Sequence, residues 1–184
     1  MPDFSNAGAQ KDFSVIPDGT IVVVQMNVRE GHVGEDGLLK RSSSGQCEGI
    51  DAEFIVVEGE YTKRKFWSFM VVSGTTDGHQ EAADISGRKL LAIINSAKGL
   101  KPTDVSETAK KAQDVPYSFF DGVRFMCKVG IEPAKGEFRA KNTLGLVITP
   151  DHKEWHQVEQ QPKSAEAKKQ DGAVVPIAKP KWAQ

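Results

Sequence analysis

From Ile21 to Glu30 the chain repeats with a period of two: Val22, Val24, Met26 and Val28 share one parity, Gln25, Asn27 and Arg29 the other. That period marks a strand with one side in a core and one side in water. The pattern returns in residues 47–59, where Ile50, Ala52, Phe54 and Val56 alternate with Asp51 and Glu53. It returns again in residues 123–132, with Val123, Phe125, Cys127, Val129 and Ile131 against Arg124, Met126 and Lys128. Residues 137–149 carry Ala140, Leu144, Leu146 and Ile148 against Arg139, Lys141 and Thr143. A fifth segment, 61–73, mixes cations with rings: Lys63, Arg64, Lys65, Phe66, Trp67 and Phe69. A chain with five such stretches builds its core between strands.

One segment breaks the period. Residues 79–97 place Ala82, Ile85, Leu90, Ile93 and Ile94 near helical spacing, and Lys98-Gly99 supplies a cation and a glycine stop. A single helical turn is expected at residues 107–113. The order is then three strands, a helix and two strands, which matches a mainly β, five-stranded OB-like barrel with its helix between the third and fourth strands. The expected domain spans residues 15–150, between a flexible N-terminus (1–14) and a flexible tail (151–184). The Gly/Ser-rich stretch 31–46 reads as a long mobile connection, and Pro133-Ala134-Lys135-Gly136 as a hairpin turn.

The formal net charge of −1 carries no polyanion signal, but its distribution does. Residues 1–60 hold 4 Lys/Arg against 11 Asp/Glu, whereas residues 61–149 hold 14 against 9. A local basic patch matters more to a polyanion than the total. Rings beside cations on an extended strand suit unpaired bases and their phosphates. The candidate phosphate contacts are Lys40, Arg41, Lys63, Arg64, Arg124, Lys128, Arg139 and Lys141, the last four forming one expected cationic hairpin surface. Trp67 and Phe66 are the candidate stacking rings, and alternation admits only one of the two neighbours to the face, Trp67 in preference.

Two cysteines, Cys47 and Cys127, sit among apolar neighbours without a CxxC or Cys/His cluster, so both read as buried thiols of a reducing compartment. The start MPDFSNAGAQ lacks the basic and apolar regions of a secretory leader, and no membrane-length apolar run is present. His152 and His156 have the spacing of one helix face but no evident third ligand, so no metal site is expected. Walker, HExxH and GxSxG motifs are absent. The expectation is a binding protein with no cofactor. A divalent-metal nuclease built on Asp51 and Glu53 is a minor alternative.

Three segments together carry a resemblance: VEGEYTKRKFW (57–67), RKLLAIINSAKGL (88–100) and DGVRFMCKVGIEPAKGEFRAKN (121–142). Over roughly residues 13–150 the chain resembles a family of short phage and prophage proteins of unknown function, found beside recombination and replication genes. The resemblance implies an OB-type protein that binds single-stranded DNA without sequence preference, supporting replication or recombination in the cytoplasm of a bacterial host, at the nucleoid. It implies replication or recombination proteins as partners and leaves homo-oligomers open. Bacterial single-strand-binding proteins end in an acidic tip with Pro-Phe. This chain ends Lys-Pro-Lys-Trp-Ala-Gln, so the same partners are not carried over. Trp182 makes the tail a candidate interaction tip, and a scaffold acting through that tail is the principal alternative function.

Overall fold

The structure, a computed structural model, describes residues 14–161. The expected flexible N-terminus and the tail tip with Trp182 lie, but for Ser14 and residues 151–161, outside the described residues. Six antiparallel strands form one sheet: β1 (Ile21–Arg29), β2 (Lys40–Arg41), β3 (Cys47–Val56), β4 (Lys65–Gly74), β5 (Arg124–Glu132) and β6 (Lys141–Val147). Helix α1 (Asp77–Lys98) follows β4, and α2 (Glu107–Gln113) is the short turn the sequence suggests.

β1 lies at the centre, with β3 on one side and β5 on the other. β4 pairs with the far edge of β3, and β6 with the far edge of β5. The register places the apolar parity together: Met26 opposite Phe54, Val24 opposite Val56 and Phe125, and Val22 opposite Cys127. Phe54 is the pivot of this core. Its ring stacks on Phe66 at 5.2 Å and meets Phe125 edge-on at 6.1 Å. Burying each such side chain contributes about 1.5–3 kcal/mol. Both cysteines are free and buried, and burial pushes the Cys127 thiol far up from its ordinary value.

The sheet of the expected OB-like barrel does not close. No ladder joins β4 to β6 among the described residues, although the two strands lie alongside each other. On β6 the Leu144 carbonyl instead accepts from Lys89 Nζ of α1 at 3.3 Å. Helix α1 packs against β4, β5 and β6 through Leu90, Ile93, Ile94 and Ala97. Ile85, expected in that stripe, is 44% exposed, because the buried row runs through Ser86, Leu90, Ile93 and Ala97, one residue out of step with it. Thr76 caps the helix by accepting from the His79 amide. Gly99, at φ 70°, ends it while the Leu100 amide bonds Asn95 O.

Three further boundaries differ from expectation. The stretch 31–46 is built rather than a bare connection. Val33 bridges Leu39, Leu39 is buried, and β2 pairs with the start of β3. The strand expected from Tyr61 begins at Lys65, because Lys63 takes φ 71° and its amide and the Arg64 carbonyl both bond Val56. The strand expected from Glu137 begins at Lys141, after a tight Lys135–Phe138 turn.

Described residues beyond 150 also pack on the sheet. Residues 149–161 lie across the outward side of β1 and β5 as a strap. Val158 and Trp155 pack on Val23, Met126 and Ile148, and the Trp155 indole donates to Ser96 O at 3.3 Å. The Gln160 amide bonds both backbone groups of Arg124, at 2.9 and 2.8 Å, where β6 has already ended. His152 sits in a bend and His156 in the irregular part of this strap, and neither is on a helix. No helix among the described residues is long and apolar enough to cross a membrane.

Candidate nucleic-acid interface

The strap covers only part of the outward side. Over β1, β3 and β4 the other parity is left open, and the register sets it in three rows. Arg124, Gln25, Ile55 and Lys65 form the first, Asn27, Glu53 and Trp67 the second, and Arg29, Asp51 and Phe69 the third. Neighbouring strands are about 4.8 Å apart and alternate residues about 7 Å apart. The open patch therefore measures roughly 14 Å along the strands and about 10 Å across them, or about 14 Å in the row that reaches Arg124.

Trp67 and Phe69 stand out on this patch, 48% and 40% exposed. Each ring is held. The Trp67 indole donates to Glu53 Oε2 at 3.3 Å, which leans the ring across β3. Phe69 reaches over Gly49, where an added Cβ would stand 2.9 Å from the ring Cζ and 2.4 Å from the Met70 carbonyl oxygen, so it is chiefly the neighbouring backbone that requires glycine there. Phe66, the other expected stacking ring, is 1% exposed and belongs to the core against Phe54. Two adjacent residues on one strand take opposite sides, so Phe66 is withdrawn from the site.

The acids of β3 do lie on this face, each matched by cations. Asp51 meets Lys40 at 2.7 Å and Arg29 at 3.7 Å. Glu53 meets Lys65 at 3.1 Å, and Glu48 meets Arg41 at 2.8 Å. Lys40 and Arg41 thus neutralise carboxylates, as Arg29 and Lys65 do. Arg29, Lys40, Lys65 and Arg124 against Asp51 and Glu53 leave the patch two positive charges in excess. The Arg124 guanidinium lies over β1, donating to Gln25 Oε1 at 3.2 Å, which brings it into the first row.

The expected cationic hairpin surface does not hold together. Arg124 joins the open face. Lys128 is half-buried opposite Ile21, about 13 Å further along β5. Lys141 pairs with Glu132 at 3.0 Å at the far end of the hairpin, and Arg139 is exposed outside the ladder. Arg124 and Glu132 are about 26 Å apart along the strand. Lys63 is exposed in the turn before β4, and Arg64 donates to the Ser14 carbonyl.

Sequence reading left out Arg29, Lys65 and Phe69. Phe69 was accessible from its parity with Trp67. Lys65 shares that parity, whereas Arg29, on another strand, becomes part of the face through cross-strand register. Among the described residues no group of three or more His, Cys, Asp or Glu side chains is placed to hold a metal ion. In comparison with known proteins, no family model and no curated protein matches this chain.

Proposed function

We propose that this protein binds single-stranded DNA on the open face of β1, β3 and β4, in an OB-like arrangement of five long strands. The strand order β4-β3-β1-β5-β6, with a helix between β4 and β5, supports the OB-like reading. The observation that carries the function is the pair Trp67 and Phe69, outward on one strand and flanked by Lys65, Arg29 and Arg124. Their spacing of about 7 Å is twice the ~3.4 Å per nucleotide of a duplex strand, so the rings suit bases spread apart. Stacking on rings tolerates any base, and cations track the backbone, which gives binding with little sequence preference. The sequence resemblance supports a role in phage or prophage replication or recombination. The nuclease alternative loses ground, because Asp51 and Glu53 are both engaged by cations.

The test is fluorescence anisotropy of labelled oligo-dT and of its duplex at low and at physiological salt. The expected result is tighter binding of the single strand, weakening as salt rises. Each phosphate-contacting cation removed should lower the salt slope by about 0.7. No binding at low salt overturns the proposal.

A further inference from the structure

Phe138 is 80% exposed, the most exposed of the large hydrophobic side chains among the described residues. Its position is fixed rather than loose. The Lys135 amide donates to Phe138 O at 3.0 Å and the Phe138 amide to Lys135 O at 3.1 Å, closing a tight turn around Gly136 and Glu137. The ring therefore stands at the tip of the β5–β6 hairpin, next in sequence to Arg139 and three residues from Lys135. Neither cation has an acidic partner in an ion pair among the described residues.

The tip is joined to the open face through one end of the sheet. The Ile16 amide donates to Asn142 Oδ1 at 2.8 Å and Asn142 Nδ2 donates to Ile16 O at 2.8 Å, while Arg64 donates to Ser14 O. The segment 14–16 thus lies between the turn before β4 and the start of β6. β4 and β6 run side by side from this end, opening with Lys65 and Lys141. Lys63, Arg64, Lys65, Lys135, Arg139 and Lys141 lie toward this end against Glu58, Glu60, Glu132, Glu137 and Glu53, the last paired with Lys65, an excess of one positive charge. A ring among cations repeats the composition of the Trp67 face.

We infer that a single strand seated on Trp67 and Phe69 leaves the face at Lys65, crosses this basic end and stacks a further base on Phe138. The inference rests on the proposed function and adds a second aromatic contact and a direction to it. From Phe69 to Lys65 is about 13 Å along β4 and from Lys141 to Phe138 about 10 Å, so the route exceeds about 23 Å, or about seven nucleotides at ~3.4 Å each and fewer where bases are spread apart. A strand of about four bases covers the face alone, and one of about fifteen reaches both sites.

The experiment measures anisotropy of four-base and fifteen-base oligo-dT with the full chain, with Phe138→Ala and with Trp67→Ala. The exposure of Phe138 leaves folding of the variant intact, checked by its thermal melt. The expected result is a loss of about tenfold for Phe138→Ala on the long strand and none on the short one, with Trp67→Ala weakening both. Equal affinity of Phe138→Ala and the parent chain on the long strand overturns the inference. An equal loss on both lengths also overturns it, since the ring would then belong to the face itself. The reading of the face survives either result provided Trp67→Ala still weakens binding. Unchanged binding by Trp67→Ala overturns that reading and this inference with it.

Discussion

Over β1 and β5 the outward side of the sheet carries Val23 and Met126, and the strap lays Trp155 and Val158 across them. Over β3 and β4 the same side carries Trp67 and Phe69 among paired charges, with no such cover among the described residues. The two regions are continuous, meeting at Arg124, whose backbone bonds Gln160 of the strap and whose guanidinium bonds Gln25 of the open face. Aliphatic side chains have no use for water, so the chain returns to roof them. Trp67 keeps a polar handle on Glu53 and tolerates exposure.

The comparison can be broken at either region. The largest effect is expected under the strap. Ile148 is fully buried, and Ile148→Ala should cost about 2–5 kcal/mol in urea unfolding while leaving the face intact. A loss below about 0.5 kcal/mol would show that the strap roofs nothing of consequence. On the open face the order reverses. Trp67→Ala should cost about 1–3 kcal/mol of single-strand binding and change unfolding by less than about 0.5 kcal/mol. A large drop in stability instead would place Trp67 with the core residues.

Gln160→Ala tests the junction. Loss of its two bonds to Arg124 should cost about 1 kcal/mol, read by urea unfolding. Hydrogen exchange at the Arg124 amide should quicken, whereas an unchanged rate would mean that the strap does not hold that amide.

The smallest effect concerns the start of the strap. The Thr149 hydroxyl, donating to Asp151, is the main cause holding that carboxyl below the usual carboxylate range, and His152 adds to it. A carboxyl depressed in the folded state stabilises above its unfolded pKa of about 3.9, and the contribution is lost as pH falls through the folded value. Thr149→Val should raise the Asp151 pKa toward the ordinary value in an NMR titration. An unmoved titration would assign the depression to other groups.

Much of this architecture was readable in the chain because its causes are local. Alternation over residues 21–30 and 47–56 gave the strands and their inward residues, and Lys98-Gly99 gave the end of α1. The same alternation preferred Trp67 to Phe66, and the structure places Phe66 in the core. The cationic hairpin was misread because parity says which side a residue takes and says nothing of how far apart residues on that side lie. Arg124, Lys128 and Lys141 share a parity argument and are spread along the whole of β5 and its partner. The loop 31–46 was misread because its glycines and serines hide one apolar anchor, Leu39.

The sequence by itself determined the number and order of the long strands, the place of the helix and most of the side chains that enter the core, since period, caps and turns act between residues a few positions apart. Only the tertiary structure decided which charges cancel, which rings remain uncovered and where the sheet stays open. Those outcomes depend on contacts such as Arg124 with Gln25, 99 residues apart, and Trp155 with Ser96, 59 apart. Register and the path of the strap bring such pairs within bonding distance, and no local pattern encodes either one.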